Sequence, residues 1–189
     1  MASCTKCGGA AVKTEVVPSY EAIGLGAPFK VVLEEAVKVT SCAKCGTVIG
    51  TFIPDMDGLF HAVVFSRALE SRKLTGPELR FMRRAMNWKA RDLAKNLGVT
   101  PEYLSRCENG KGVMGETTEK LFRLYALLQT PDHAALKEID LSKLFDLIKV
   151  EATWDSANPL TLYFVRRSIA VEQLDEPDEK WRTDKLKAA

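Results

Sequence analysis

The sequence predicts an α+β protein, and three features of the pattern support this class. The first fifty residues are strand-like and are bracketed by two Cys-x-x-Cys-Gly motifs. Apolar residues then recur at helical spacing, and an isolated strand-like run follows at residues 160–165. We divide the 189 residues into a β-rich segment (1–52), a linker with a helix (53–74), an all-helical domain (75–130) and a C-terminal extension with a helix, a strand and a charged tail (131–189).

The β-rich segment contains two strand signals, residues 14–17 and 30–40, with a Gly/Pro-rich turn between them at 24–28. The Cys-x-x-Cys-Gly motifs lie at residues 4–8 and 42–46, at the two ends of this hairpin-like segment. A Cys-x-x-Cys turn brings two thiolates to one ion, and the following glycine suits the positive φ of a tight turn. A closed four-thiolate site formed by Cys4, Cys7, Cys42 and Cys45 is therefore predicted, with one structural Zn²⁺.

Other uses of these cysteines have less support. A thioredoxin-like motif needs one Cys-x-x-Cys inside a β-α-β unit, and that pattern is missing. A catalytic zinc needs an open position, and the two histidines, His61 and His133, have no ligand-like neighbours. Four cysteines could also hold an iron–sulfur cluster, although nothing in the sequence favours one. The fifth cysteine, Cys107, falls on the apolar face of a predicted helix and is expected to lie in the core.

A connecting helix is predicted from about Leu59 to Lys73. The helical domain then begins at Thr75, which is spaced with Glu78 as a capping box. Within it, the segment 90–110 has the pattern of two short helices joined by a sharp turn: a small residue at Ala94 and a glycine at Gly98. The predicted core of this motif is Leu93, Leu97, Val99, Leu104 and Cys107.

The second helix of this motif would present its N-terminal half to base edges in the major groove. Arg106 is the best candidate for a bidentate contact to guanine, and Glu102 could accept a hydrogen bond from cytosine. The basic and polar residues around them would contact bases or phosphates. The predicted DNA-binding set is Lys89, Arg91, Thr100, Pro101, Glu102, Tyr103, Ser105, Arg106, Asn109 and Lys111. An ordinary bundle with a solvated polar face is the competing interpretation.

The charge distribution agrees with DNA binding by the middle of the chain. The whole chain carries a formal charge of only +2, but residues 76–130 contain 10 basic and 6 acidic side chains, whereas residues 131–189 contain 9 and 12. An enzyme is not expected, because paired catalytic carboxylates, a phosphate-binding glycine loop and a nucleophile elbow are all missing from the sequence. The sequence has no apolar run long enough to span a bilayer, and it has no signal-peptide pattern at its start. We therefore expect a cytoplasmic protein that does not bind membranes.

The motif residues resemble a known arrangement. Leu74–Arg80, Leu93-Ala94, Leu97–Val99 and Leu104–Lys111 are similar to a Cro/CI-type (Xre-family) helix-turn-helix. Together with the two cysteine motifs, residues 1–130 resemble the MqsA-type antitoxins with a YgiT-type zinc ribbon. The resemblance implies Cys4, Cys7, Cys42 and Cys45 as zinc ligands, Arg106 as a base-reading residue, and a flexible joint between the two domains.

Two positions depart from that pattern. Glu102 falls where the better-known antitoxins place a base-reading Asn, and Glu cannot make the bidentate adenine contact of Asn. Ala90 replaces a Gln that many Cro-like domains place on a phosphate. Because of the change at position 102, the operator sequence does not follow from the resemblance.

The resemblance implies a homodimeric repressor that binds a palindromic operator in double-stranded DNA, regulates its own operon and neutralises a protein toxin, commonly a ribonuclease. The alternative is a stand-alone zinc-containing regulator whose C-terminal segment binds a ligand or a partner. That segment is not covered by the resemblance. From its apolar pattern, we expect residues 136–149 to pack on the helical domain or across the dimer, and the strand at 160–165 to pair with its symmetry mate.

Overall fold

The structure is a computed structural model, and it describes residues 4–129, 148, 150, 159–169 and 178–182. The chain divides into two compact units. One unit comprises residues 1–22, 31–58 and 161–189, and contains a β-sheet with the cysteines. The other comprises residues 23–30 and 59–160, and contains the helices. The predicted α+β class is confirmed.

The sheet of the first unit has five strands among the described residues: β1 (Val12–Glu21), β2 (Lys30–Cys42), β3 (Val48–Phe52), β4 (Thr161–Ile169) and β5 (Asp178–Arg182). Its strand order is β1-β2-β4-β5, and β3 also pairs with β2. The β1–β2 pairing is antiparallel and joins Val12 to Cys42 and Val17 to Val37. The two predicted strands between the cysteine motifs are therefore present, and their pairing brings the two motifs together.

Proline explains the one irregularity of this hairpin. The register shifts between Val17 and Ser19, where Pro18 interrupts the ladder because it has no backbone N–H to donate. On the opposite strand, Glu35 takes a positive φ of 51°. Here β2 has two residues opposite the one of β1, and this extra residue forms a bulge, beyond which the pairing continues between Ser19 and Glu34.

The two C-terminal strands correct two expectations. The predicted strand at 160–165 exists as β4, but it lies between β2 and β5 in the sheet, so the suggested pairing with a symmetry mate is wrong. The predicted charged tail contains a strand that the sequence did not indicate: residues 178–182 form β5, antiparallel to β4. Trp181 is buried there, and its indole N–H lies 3.2 Å from Pro54 O and 3.1 Å from Asp55 O. One buried aromatic ring with satisfied hydrogen bonding anchors an otherwise charged segment. The predicted helix at 136–149 lies almost wholly outside the described residues.

The described helices are α1 (Met56–Leu69), α2 (Gly76–Ala85), α3 (Ala90–Asn96), α4 (Pro101–Glu108) and α5 (Glu116–Gln129). The connecting helix starts and ends earlier than predicted, at Met56 and Leu69. At its start the Asp55 carboxylate accepts a hydrogen bond from Gly58 N. The capping box of Thr75 and Glu78 at the start of α2 is present as predicted.

The core of the helical unit is built from the predicted positions. Leu93, Ala94, Leu97, Leu104 and Cys107 are buried, and only Val99 is half-exposed. The N-terminus of α2 crosses the C-terminal end of α4 closely: a Cβ added to Gly76 would lie 2.5 Å from Cys107 O. Only glycine allows this approach of two backbones, so Gly76 sets how closely α2 packs on α4.

Two buried arginines hold the connection between α1 and α2. Arg67 donates from Nε to Glu78 Oε1 at 2.7 Å and from Nη2 to Glu78 Oε2 at 3.2 Å, and the two side chains are 0% and 1% exposed. Arg123 is equally buried and pairs with Glu119 at 2.7 Å. Both guanidinium groups also donate to the Arg72 carbonyl, at 2.9 and 2.6 Å. Burial lowers the pKa of Arg123, and the Glu119 charge opposes this shift.

Candidate metal centre and nucleic-acid interface

The four predicted ligands converge. The sulfur atoms of Cys4, Cys7, Cys42 and Cys45 all lie within 4.8 Å of one another. Cys4 Sγ is 3.6 Å from Cys45 Sγ, and Cys7 Sγ is 3.5 Å from Cys42 Sγ. These contacts join opposite motifs, so neither sulfur pair belongs to a single turn. Among the described residues this is the group that could hold a metal ion.

Matching turns position the sulfurs. Gly8 and Gly46 have φ values of +68° and +69°, as the sequence predicted for the glycine after each cysteine pair. Each glycine donates its N–H to the carbonyl of the first cysteine in its motif, at 2.8 Å from Gly8 and 2.9 Å from Gly46. Gly9 adds a close approach, because a Cβ there would lie 3.3 Å from Cys7 Sγ. The absence of a side chain at position 9 thus lets the backbone pass close to the sulfurs of Cys7 and Cys42.

The sulfur spacing fits a metal tetrahedron. Zn–S bonds of about 2.3 Å imply an edge of about 3.8 Å between thiolates, close to the two sulfur contacts given above. Thr47 contacts one of the four cysteines: Cys45 Sγ lies 3.3 Å from Thr47 Oγ1, and hydrogen bonding with the side chain and the backbone of Thr47 lowers the pKa of Cys45 to about 6. Four sulfur donors at these distances can bind a metal ion.

The predicted helix-turn-helix is formed by α3 and α4. Gly98 takes a φ of +66° in the turn, and its N–H donates to Lys95 O at 3.2 Å. Thr100 caps α4 by accepting a hydrogen bond from Tyr103 N at 3.1 Å, and Pro101 occupies the first turn. The local signals in the sequence therefore specify where α3 ends and where α4 begins.

The residues predicted to contact DNA fall into three neighbouring stretches: the start of α3, helix α4 and the loop that follows α4. Nine are exposed, and the tenth, Tyr103, is half-buried. Thr100 and Asn109 already have partners within the chain, since Thr100 caps α4 and Asn109 Nδ2 donates to Ser105 O at 2.7 Å. The exposed residues are Lys89, Arg91, Thr100, Pro101, Glu102, Ser105, Arg106, Asn109 and Lys111.

Sequence reasoning missed the ion pair that fixes α4 against α2. Arg83 Nε lies 2.5 Å from Glu108 Oε1 and its Nη2 lies 2.9 Å from Glu108 Oε2, a bidentate contact that raises the pKa of Arg83. Arg80 adds a hydrogen bond to Asn109 Oδ1. The signal was available: Glu108 lies four residues after the buried Leu104, so both share the inward face of α4.

Comparison with known protein families supports the assignment of a helix-turn-helix in the helical unit. A family described as "Helix-turn-helix domain" matches residues 76–136, which contain α2 to α5. A search of curated proteins found no match, and neither did a search of solved structures. In the part of the chain that the structure describes, no helix is both long and apolar enough to span a bilayer. The chain therefore combines a DNA-binding helix-turn-helix domain, of the kind used by transcription regulators, with a sheet that carries four clustered cysteines.

Proposed function

We propose that this protein is a sequence-specific transcriptional repressor without enzymatic activity, in which α4 reads the operator. The observation that carries the proposal is the exposed set on α4 and its loop, held on a helix-turn-helix that a family match supports. Glu102, Ser105 and Arg106 are exposed along α4, while Leu104 and Cys107 bury its opposite side. A helix with one face in the core and polar side chains on the other can enter a major groove.

The test starts from random double-stranded DNA, since the operator is unknown. Wild-type protein is used to select binding sequences, and the enriched site is then measured against Arg106→Ala by gel shift. Loss of a bidentate guanine contact costs about 1–3 kcal/mol, so we expect binding roughly 10- to 100-fold weaker and relaxed selectivity at one base pair.

The matched control is Lys120→Ala, which removes the same charge from α5, where Lys120 pairs with Glu116 at 2.8 Å. It should bind the selected site nearly as well as wild type. Failure of wild-type protein to enrich any sequence would overturn the repressor proposal, whereas equal loss in both variants would overturn only the role of Arg106.

A homodimer is part of this proposal, because one short recognition helix reads few base pairs. Two copies related by a two-fold axis would place their α4 helices about 34 Å apart, one turn of DNA. Leu121 and Leu128 leave apolar surface on α5 that a second copy could cover. A selected site without two inverted half-sites about 10 base pairs apart would argue against this arrangement.

We further propose that the protein is an antitoxin and that its sheet unit meets the toxin. The resemblance of residues 1–130 to antitoxins supports this role. Supporting it independently, Val12, Val16 and Phe52 are 52%, 51% and 60% exposed. Register pairs Val16 with Lys38 and Lys38 with Phe52, so Val16 and Phe52 lie on one face of the sheet. Exposed apolar side chains that share one face of a sheet, here on either side of Lys38, are typical of protein interaction sites.

Co-expression with the adjoining reading frame tests the antitoxin role. We expect a small neighbouring protein that arrests growth alone, co-purifies with this chain and loses binding at least tenfold with Phe52→Glu. The control is Lys44→Glu, an exposed residue between two cysteines that also gains an acidic charge. If no neighbour is toxic or none co-purifies, the stand-alone regulator is the better assignment.

We propose Zn²⁺ as the metal, with Cys4, Cys7, Cys42 and Cys45 as its ligands and a structural role. Four thiolates leave no open coordination position for a substrate or water, which is why a structural rather than catalytic ion is supported. Elemental analysis of purified protein should find one zinc per chain and no acid-labile sulfide; iron with sulfide would indicate a cluster instead.

A further inference from the structure

The loop that follows α4 is tied back to that helix by a tyrosine. Tyr103 is half-buried on α4, and its hydroxyl oxygen accepts a hydrogen bond from Gly115 N at 3.0 Å. The loop, Gly110–Gly115, contains three glycines, so its backbone has wide conformational freedom when it is unrestrained. The single hydroxyl therefore restrains a segment whose own sequence does not fix its shape.

Other contacts hold the two ends of the loop and leave its middle exposed. Lys111 N donates to Arg106 O at 2.9 Å at the helix end, and Met114 is buried near the far end. Between them the Val113 side chain is 72% exposed. Gly112 runs beside the base-reading candidate, because a Cβ there would lie 3.8 Å from Arg106 Cβ.

These contacts place Lys111 and Gly112 next to Arg106, with Val113 the following residue, on a loop whose far end is held by Tyr103 together with the buried Met114. We infer that Tyr103 is a positioning residue for DNA binding: it holds the loop so that Lys111 meets a phosphate and Val113 meets an apolar surface of the DNA while Arg106 reads a base. This inference rests on the proposed repressor function. Apolar side chains do contact thymine methyl groups, and lysines contact phosphates, so both exposed side chains have a partner in a DNA groove.

This positioning role differs from the direct DNA contact that the sequence suggested for Tyr103. A direct contact would use the hydroxyl as a donor to a base or phosphate, whereas positioning uses it as the acceptor of the Gly115 N–H. The two roles predict different coupling with Lys111. If Tyr103 acts through the loop, then removing Lys111 removes much of what Tyr103 supports, and the two losses do not add.

The experiment is a double-mutant cycle on the selected DNA site with Tyr103→Phe, Lys111→Ala and the pair, all in the full chain. Tyr103→Phe keeps the ring and removes only the hydroxyl, so the fold should survive; its unfolding midpoint and amide exchange of α4 are the check. We expect each single variant to bind the DNA site about 3- to 10-fold more weakly than wild type. The double variant should bind only slightly more weakly than whichever single variant has the lower affinity. Amide exchange at Gly115 should accelerate in Tyr103→Phe.

Two results would overturn the inference. One is Tyr103→Phe binding as tightly as wild type; the other is full multiplication of the two single losses, which indicates a direct and independent contact. Both are read against wild-type binding to the selected site, so they are distinguishable from failure of the repressor proposal, in which wild-type protein selects no site at all.

Discussion

Removing the metal is expected to release β1 and β3 from the sheet while the helical unit stays folded. All five residues of β3 and eight of the ten in β1 are exposed, so little apolar burial holds these strands on β2. A structural zinc supplies on the order of 10 kcal/mol to the folding of small metal-bound units. Because burial cannot replace that contribution here, chelation should have a large local effect.

Hydrogen exchange on the full chain measures this effect. In Cys42→Ser, or after treatment with a strong chelator, we expect the amides of Val48–Phe52 to lose protection by several orders of magnitude, and those of α2 to α5 to keep theirs. Cys107→Ser is the matched control: the same chemical change at a buried cysteine outside the site should leave one metal ion per chain. Unchanged protection of β3 in metal-free protein would show that the strands hold themselves.

Breaking the buried Arg67–Glu78 pair is expected to cost about 3–5 kcal/mol of unfolding free energy, because Glu78→Ala leaves a guanidinium with no counter-charge inside the protein. The loss also includes the capping box, since Glu78 Oε2 accepts from Thr75 N at 2.7 Å and from Thr75 Oγ1 at 2.8 Å. Urea unfolding of the helical unit, followed by circular dichroism, gives the change in free energy.

The control for this variant is Glu116→Ala, which also removes a glutamate from an ion pair, but one that is exposed to solvent. Lys120 lowers the pKa of Glu116, yet screening leaves such surface pairs with little effect on stability. We expect a clear separation of the two unfolding midpoints. Equal midpoints would mean that Arg67 finds sufficient partners in the carbonyls of Arg72 and Lys73, which lie 2.9 and 3.2 Å from its Nη2.

Local signals made the metal site and the helix-turn-helix predictable. Each Cys-x-x-Cys-Gly motif is a five-residue turn whose glycine φ follows from those residues alone, and the β1–β2 hairpin between the motifs brings the four sulfurs together. Likewise, Thr75, Gly98 and Thr100 act on backbone groups within a few residues of themselves. Nothing distant is needed for a cap or a tight turn to form.

The largest departures from expectation, those at the two C-terminal strands, involve residues far apart in the chain. The β1–β2 pairs, such as Val12 with Cys42, form within one hairpin. By contrast, β4 pairs with β2 across more than a hundred residues, and no local pattern in residues 160–165 indicates which strand lies beside it. Trp181 lies in a charged stretch of the sequence, and only the fold brings the carbonyl oxygens of Pro54 and Asp55 to its indole N–H. Periodicity describes which face a strand buries, but it does not identify the neighbouring strand.

The sequence by itself predicted the α+β class, the four clustered cysteines and the two-helix motif, because these follow from the periodicity of apolar residues and from short turn and cap motifs. Only the tertiary structure decided that β4 and β5 complete the cysteine-bearing sheet, that Arg67 and Glu78 form a buried pair, and that Tyr103 restrains the loop after α4. The physical reason is the same in each case. A strand edge, a buried charge or a hydroxyl group forms hydrogen bonds with the groups that the fold brings close to it. Local sequence does not indicate which distant groups these are.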